Sequence, residues 1–126
     1  MIRPKTEQEH KSAIAEFTRT LGSEHPSTLS ARNNLANYLF STGKHAHAEK
    51  EHRSVLALRE RVLGSEDSAT LSSAFNLAAT LWETRKDDEA LKLGRTSLTG
   101  RIKTLGDDHP ETKAARRFVE AMEAML

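Results

Sequence analysis

The stretch "LGSEHPSTL" (Leu21–Leu29) returns as "LGSEDSATL" (Leu63–Leu71) and again as "LGDDHPETK" (Leu105–Lys113), at a spacing of 42 residues both times. One turn spelled three times at a fixed interval in a chain of 126 residues marks an internal repeat. Residues 21–62 and 63–104 align without a gap and share 18 of 42 positions. The shared positions include Leu21-Gly22-Ser23-Glu24 with Leu63-Gly64-Ser65-Glu66, and Asn34-Leu35-Ala36 with Asn76-Leu77-Ala78. Leu39, Ala48, Arg53, Leu56 and Arg59 have their twins at Leu81, Ala90, Arg95, Leu98 and Arg101.

The repeated turn reads as a helix stop followed by a helix start. Glycine after leucine ends one helix, and Pro26 and Pro110 stand where proline is tolerated, in the first turn of the next. Between turns, Leu29, Ala31, Leu35, Ala36 and Leu39 advance by helical steps and define one apolar face. Thr42-Gly43-Lys44 interrupts that period, with Gly43 suited to a left-handed C-terminal cap. Ala48, Val55, Leu58 and Val62 resume it, with Leu56 on a second face. Residues 6–20 align with the second helix of a repeat, and residues 110–126 with a first helix whose apolar face holds Phe118, Val119 and Met122. The reading is six helices of roughly 15–18 residues, each about 25 Å long. Short connections place consecutive helices antiparallel. No segment reads as a strand or a linker.

Composition narrows the function. With 19 basic and 18 acidic side chains the net charge is +1, which offers no general field for nucleic acid or an anionic membrane. No apolar run is long enough to span a bilayer. Zero cysteines exclude disulfides, thiolate metal sites and thiol nucleophiles. Six histidines raise the question of a metal, chiefly at His45, His47 and His52. Histidines two apart on a helix point to different sides, so no shared site is expected. His25 and His109 occupy one turn position in two repeats and belong to the repeat itself. No phosphate loop or serine–histidine–acid constellation stands out. The expectation is a non-enzymatic, cytoplasmic protein without cofactor or metal.

The motifs Leu-Gly-x-x-His-Pro-x-Thr-Leu (21–29), Asn33-Asn34-Leu35-Ala36, Gly43-Lys44, Ala48-Glu49 and Leu58-Arg59-Glu60 resemble the tetratricopeptide repeat, in its 42-residue kinesin-light-chain form. The resemblance covers almost the whole chain. It implies an all-α helical-hairpin solenoid, a right-handed superhelix of about six antiparallel helices, as one domain over residues 1–126. Within it fall a trailing helix (6–20), two repeats (21–62 and 63–104) and a final half repeat (105–126). The sequence departs from the pattern where Arg85 replaces the turn glycine and Asp67-Ser68 replaces His-Pro. Gly94 and Gly100 fall inside the second repeat's outer helix; at about 1 kcal/mol each against alanine they would make it the softest one.

The family uses its concave groove to hold extended peptides or partner helices. The resemblance places Ser30, Asn33, Asn37, Phe40 and Ser41 on that groove in the first repeat. Their counterparts are Ser72, Phe75, Ala79, Trp82 and Glu83, with Lys113 and Arg117 on the last helix. Asparagine amides can bracket a peptide group, and aromatics supply apolar anchoring area. Some members grip a C-terminal carboxylate with a lysine, two asparagines and two further cations. Asn37 and Asn76 fall on the asparagine positions, but Asn33 takes the lysine's place and Lys113, Arg116 and Arg117 align poorly. A groove for an internal peptide is expected. Asn34 and Asn76 carry two readings, a tie between hairpins and a ligand contact. Trp82 likewise reads as packing or as anchor, and Tyr38 as packing. Self-assembly through the terminal helices is the alternative function, since "EAMEAML" ends the chain without a polar stop. A third reading takes the chain as a fragment or the tail of a larger signalling protein.

Overall fold

A computed structural model describes residues 3–126. Across them six helices follow one another: α1 (Glu7–Leu21), α2 (Pro26–Ser41), α3 (His45–Leu63), α4 (Ser68–Glu83), α5 (Asp87–Leu105) and α6 (Pro110–Met125). Each packs against the next, so the chain is a row of hairpins with α2, α4 and α6 on one side and α1, α3 and α5 on the other.

Local chemistry sets the helix ends. His25 Nδ1 accepts from the Ser27 N–H at 3.0 Å and His109 Nδ1 from the Glu111 N–H at 3.1 Å. Asp67 Oδ1 does the same for the Ala69 N–H at 2.8 Å, so the departure from His-Pro keeps an N-cap acceptor. The turn between α2 and α3 needs a left-handed residue, supplied by Gly43 at φ 85°. At the matching point Arg85 is held at φ 66°. An L-residue there costs roughly 1–2 kcal/mol, part of which the guanidinium offsets by lying 5.6 Å over the Trp82 ring. Arg85→Gly is expected to raise stability by about 1 kcal/mol in urea unfolding; an unchanged midpoint would show that the ring contact offsets the strain in full.

The core is aliphatic and thin, as five per cent aromatics require. Leu77, Leu81, Ala90, Val119 and Met122 form one cluster, Leu35, Leu39 and Ala48 another. Ion pairs between residues 37 apart recur in register, both between repeats and within them. Glu7 accepts from Lys44 at 2.8 Å and Glu49 from Lys86 at 2.9 Å. Arg61 pairs with Glu24, and Lys103 with Glu66. These exposed pairs each stabilise little; their regular placement holds the register of one hairpin on the next.

The two interior glycines of α5 are close-approach points. A Cβ on Gly100 would stand 2.5 Å from Leu71 Cδ2, and one on Gly94 2.8 Å from Met122 Cε. They bring α4 and α6 tight against α5, so the feature read as softness in sequence is packing. Gly94→Ala is expected to be near neutral, because the methionine end can yield. Gly100→Ala should lose about 1 kcal/mol, overpacking outweighing the gain in helix propensity. Thermal unfolding of both variants decides this, and a stabilised Gly100→Ala would contradict it.

The last helix differs from its twins on one face. Leu29/Leu71, Ala36/Ala78 and Leu39/Leu81 are buried, each 5% exposed or less. The same register positions in α6 are Lys113, Glu120 and Glu123, all exposed, and Glu123 pairs with Arg95 at 2.7 Å. That face is comfortable in water.

Candidate functional site

The inner helices α2 and α4 run side by side, and four of the expected groove residues meet between them. Asn37 and Phe40 from α2, with Asn76 and Ala79 from α4, line a pocket of about 140 Å³. The sequence reading missed its other two walls, Thr80 and His52. Helical spacing explains the first four: residues 37 and 40, and 76 and 79, are three apart and share a face.

Asn76 Nδ2 donates to Asn33 Oδ1 at 3.3 Å. The recurrent asparagine therefore ties α4 to α2, and its twin Asn34 is exposed. Asn33 thereby buttresses the pocket without lining it. Asn37 is exposed, its amide open to a ligand.

The remaining expected residues lie outside this pocket. Phe75 sits 5.2 Å from Phe118 and 5.0 Å under the Arg101 guanidinium, ring centroid to partner. Trp82 is half-buried against the Leu77–Leu81 cluster. Its main contact is packing. The Ser41 hydroxyl donates to the Tyr38 carbonyl at 2.9 Å, a local helix-end contact. Glu83, Lys113 and Arg117 are exposed. Tyr38 lies against His10 with the rings tilted by 41° and their centroids 5.1 Å apart, in keeping with a structural role. Arg116, a candidate carboxylate cation, is engaged by Asp107 at 2.6 Å.

No charged side chain lines the pocket. Burial pushes the His52 imidazole down to about 4, Arg59 nearby adding to the effect and Glu51 opposing it, so the ring is neutral near pH 7. Among the described residues no three His, Cys, Asp or Glu side chains gather as a metal site would require. No helix among them is long and apolar enough to cross a membrane. Wider depressions lie elsewhere. One of about 700 Å³ follows the outer helix α5 past Leu91, Arg95 and Gly100; one of about 660 Å³ opens at the α1–α2 end around His10, Phe17 and Asn34.

Comparison with known proteins agrees with this architecture. The tetratricopeptide repeat family profile matches residues 4–61 and 33–102, and the chain belongs to that family. Among solved structures it is similar to the nearly identical TPR-like repeats of a Podospora anserina protein described as a putative kinesin light chain. That match has 27% identity and a TM-score of 0.86, covering 92% of this chain and 55% of that one. A point variant of the same protein matches equally. The fold is also that of BtubC (BKLC) from P. vanneervenii, with a TM-score of 0.74 at 16% identity over 94% of this chain and 56% of that one. The chain thus spans little more than half the length of these structures. No curated protein is detectably similar in sequence. Repeats of this family are in general surfaces for protein–protein interaction.

Proposed function

We propose that the chain is a non-enzymatic scaffold that holds an extended segment or a helix of another protein along α2, α4 and α6. What supports this most directly is the pocket in which Asn37, Phe40, Asn76 and Ala79 converge. An amide open to solvent, a partly buried ring and a preformed concavity are the ingredients of peptide capture at low entropic cost. A cytoplasmic setting belongs to the same proposal.

Peptides selected from a displayed random library on the wild-type chain test it. Asn37→Ala combined with Ala79→Glu is expected to weaken their binding at least about tenfold without moving the melting temperature. Peptides that bind the double variant as tightly as the wild type would sink the groove reading.

Self-assembly through the terminal helices is the second reading. Met125 and Leu126 are 69% and 64% exposed, and the α1–α2 end opens a wide depression. The charged outer face of α6 weighs against it. A monomer by light scattering at high micromolar concentration would dismiss it.

A further inference from the structure

The joints α1–α2, α3–α4 and α5–α6 use the same register positions, so they can be compared residue by residue. The inner helix presents Ala31, Leu35 and Tyr38 at the first, Ser73, Leu77 and Thr80 at the second, and Ala115, Val119 and Met122 at the third. The middle joint is the polar one: Ser73 and Thr80 meet His52 and Arg59 of α3, and all four are buried. Arg101 recurs at the third joint, but there Met122 and Val119 close on Gly94. The apolar core divides at the middle joint. Leu35, Leu39 and Ala48 cluster within α2 and α3, with Ile14 of α1 against them; Leu77, Leu81, Ala90, Val119 and Met122 cluster within α4–α6. Leu56 of α3 reaches the second cluster as a partly buried side chain. The hydrogen bonds across the joint run from Arg59 to the Ala69 carbonyl and Ser73 hydroxyl, and from Asn76 to Asn33. Two buried atoms at it, His52 Nδ1 and Thr70 Oγ1, have no hydrogen-bond partner among the described residues. The twins of Thr70 are satisfied: Thr28 donates to the Gly22 carbonyl at 2.7 Å and Thr112 to the Arg101 carbonyl at 3.3 Å.

We propose that α1–α3 and α4–α6 are two cooperative units that part at the α3–α4 joint, and that a partner segment lying across α2 and α4 holds them shut. Parting there exposes chiefly polar groups, whose hydrogen bonds water replaces at small net cost, and it hydrates the two unpaired atoms. Parting inside either unit would expose leucine or methionine side chains from a cluster. In a helical array each unit is stabilised by itself and by its neighbour, so units of unequal core open at unequal cost. The N-terminal unit has the smaller cluster and opens while the other stays folded. The clamp rests on the groove reading above. Asn37 and Phe40 belong to the first unit, Asn76 and Ala79 to the second. A segment touching both binds the closed form more tightly than the open one, and by linkage it must close the joint.

The direct test is amide hydrogen exchange of the full chain near pH 7, followed helix by helix by nuclear magnetic resonance in low urea. The central amides of α1, α2 and α3 should share one opening, with α4–α6 exchanging more slowly. Met122→Ala removes a buried side chain from the second cluster and should speed exchange in α4–α6 by about thirtyfold or more. It should leave α1–α3 unchanged, because their opening keeps that cluster folded. Val119→Ala, a smaller truncation in the same cluster, should show the same pattern and carries the test if Met122→Ala does not fold. One common exchange rate for all six helices, a third helix that exchanges with α4, or acceleration of α1–α3 by either variant would overturn the two units. The selected peptides test the clamp. A peptide that needs Asn37 should slow exchange in α1–α3 saturably; one that leaves it unchanged overturns the clamp and keeps the groove. A library with no groove-dependent binder overturns the groove and the clamp together, and exchange in the free chain still decides the joint.

Discussion

Arg59→Ala is expected to lower the unfolding free energy by about 3 kcal/mol. Arg59 is 6% exposed and crosses from α3 to α4, donating to the Ala69 carbonyl at 3.2 Å and to the Ser73 hydroxyl at 2.8 Å. Truncation leaves a fully buried Ser73 hydroxyl without that donor and opens a cavity where the side chain lay. Both losses act in the same direction. Burial holds the guanidinium below its ordinary range, yet arginine stays protonated at any working pH. Its twin Arg101 donates to the Glu111 carbonyl at 3.1 Å but reaches the Ser72 hydroxyl only at 3.5 Å, so Arg101→Ala should cost less. Urea unfolding of the two variants reads both numbers. A loss under about 0.5 kcal/mol for Arg59→Ala would mean the contact is replaced by solvent at no net cost.

Acidification should destabilise the chain through His52, by about 2 kcal/mol at pH 5 and about 3 kcal/mol at pH 4. The ring titrates near 6.5 when unfolded and is pushed down to about 4 by burial when folded. Between those values the unfolded chain holds a proton that the folded chain does not, so stability rises with pH across this window. Below pH 4 both states are protonated and the effect is complete. The carboxylates act at lower pH. For Glu49, burial raises the value, but hydrogen bonds from Lys86 and Arg53 outweigh it and hold the group below the usual range; Glu89 is lowered chiefly by Arg53. Unfolding free energies of wild type and His52→Gln, compared from pH 7 to pH 4, isolate the histidine. Parallel curves would refute the assignment.

The interior of α5 shows why sequence reasoning misjudges one feature. Glycine in a helix is a local cost that any propensity scale records. Whether it is also a contact depends on Leu71 and Met122, which lie 29 and 28 residues away in sequence. The pocket repeats the lesson. Asn37, Phe40, Asn76 and Ala79 are legible because they follow helical spacing within repeats of known phase. His52 reads from sequence only as a metal ligand without companions, since nothing in its own helix announces its burial.

The sequence by itself determined the number of helices, their order, the turns between them and the repeat family. Those features rest on contacts between residues at most four apart, multiplied by a 42-residue period. The tertiary structure alone decided that Asn76 bonds Asn33, that Arg59 and His52 are buried, and that α6 turns a charged face outward. Each of these depends on which side chains from neighbouring hairpins meet, and their sizes are matched only across the interface between repeats.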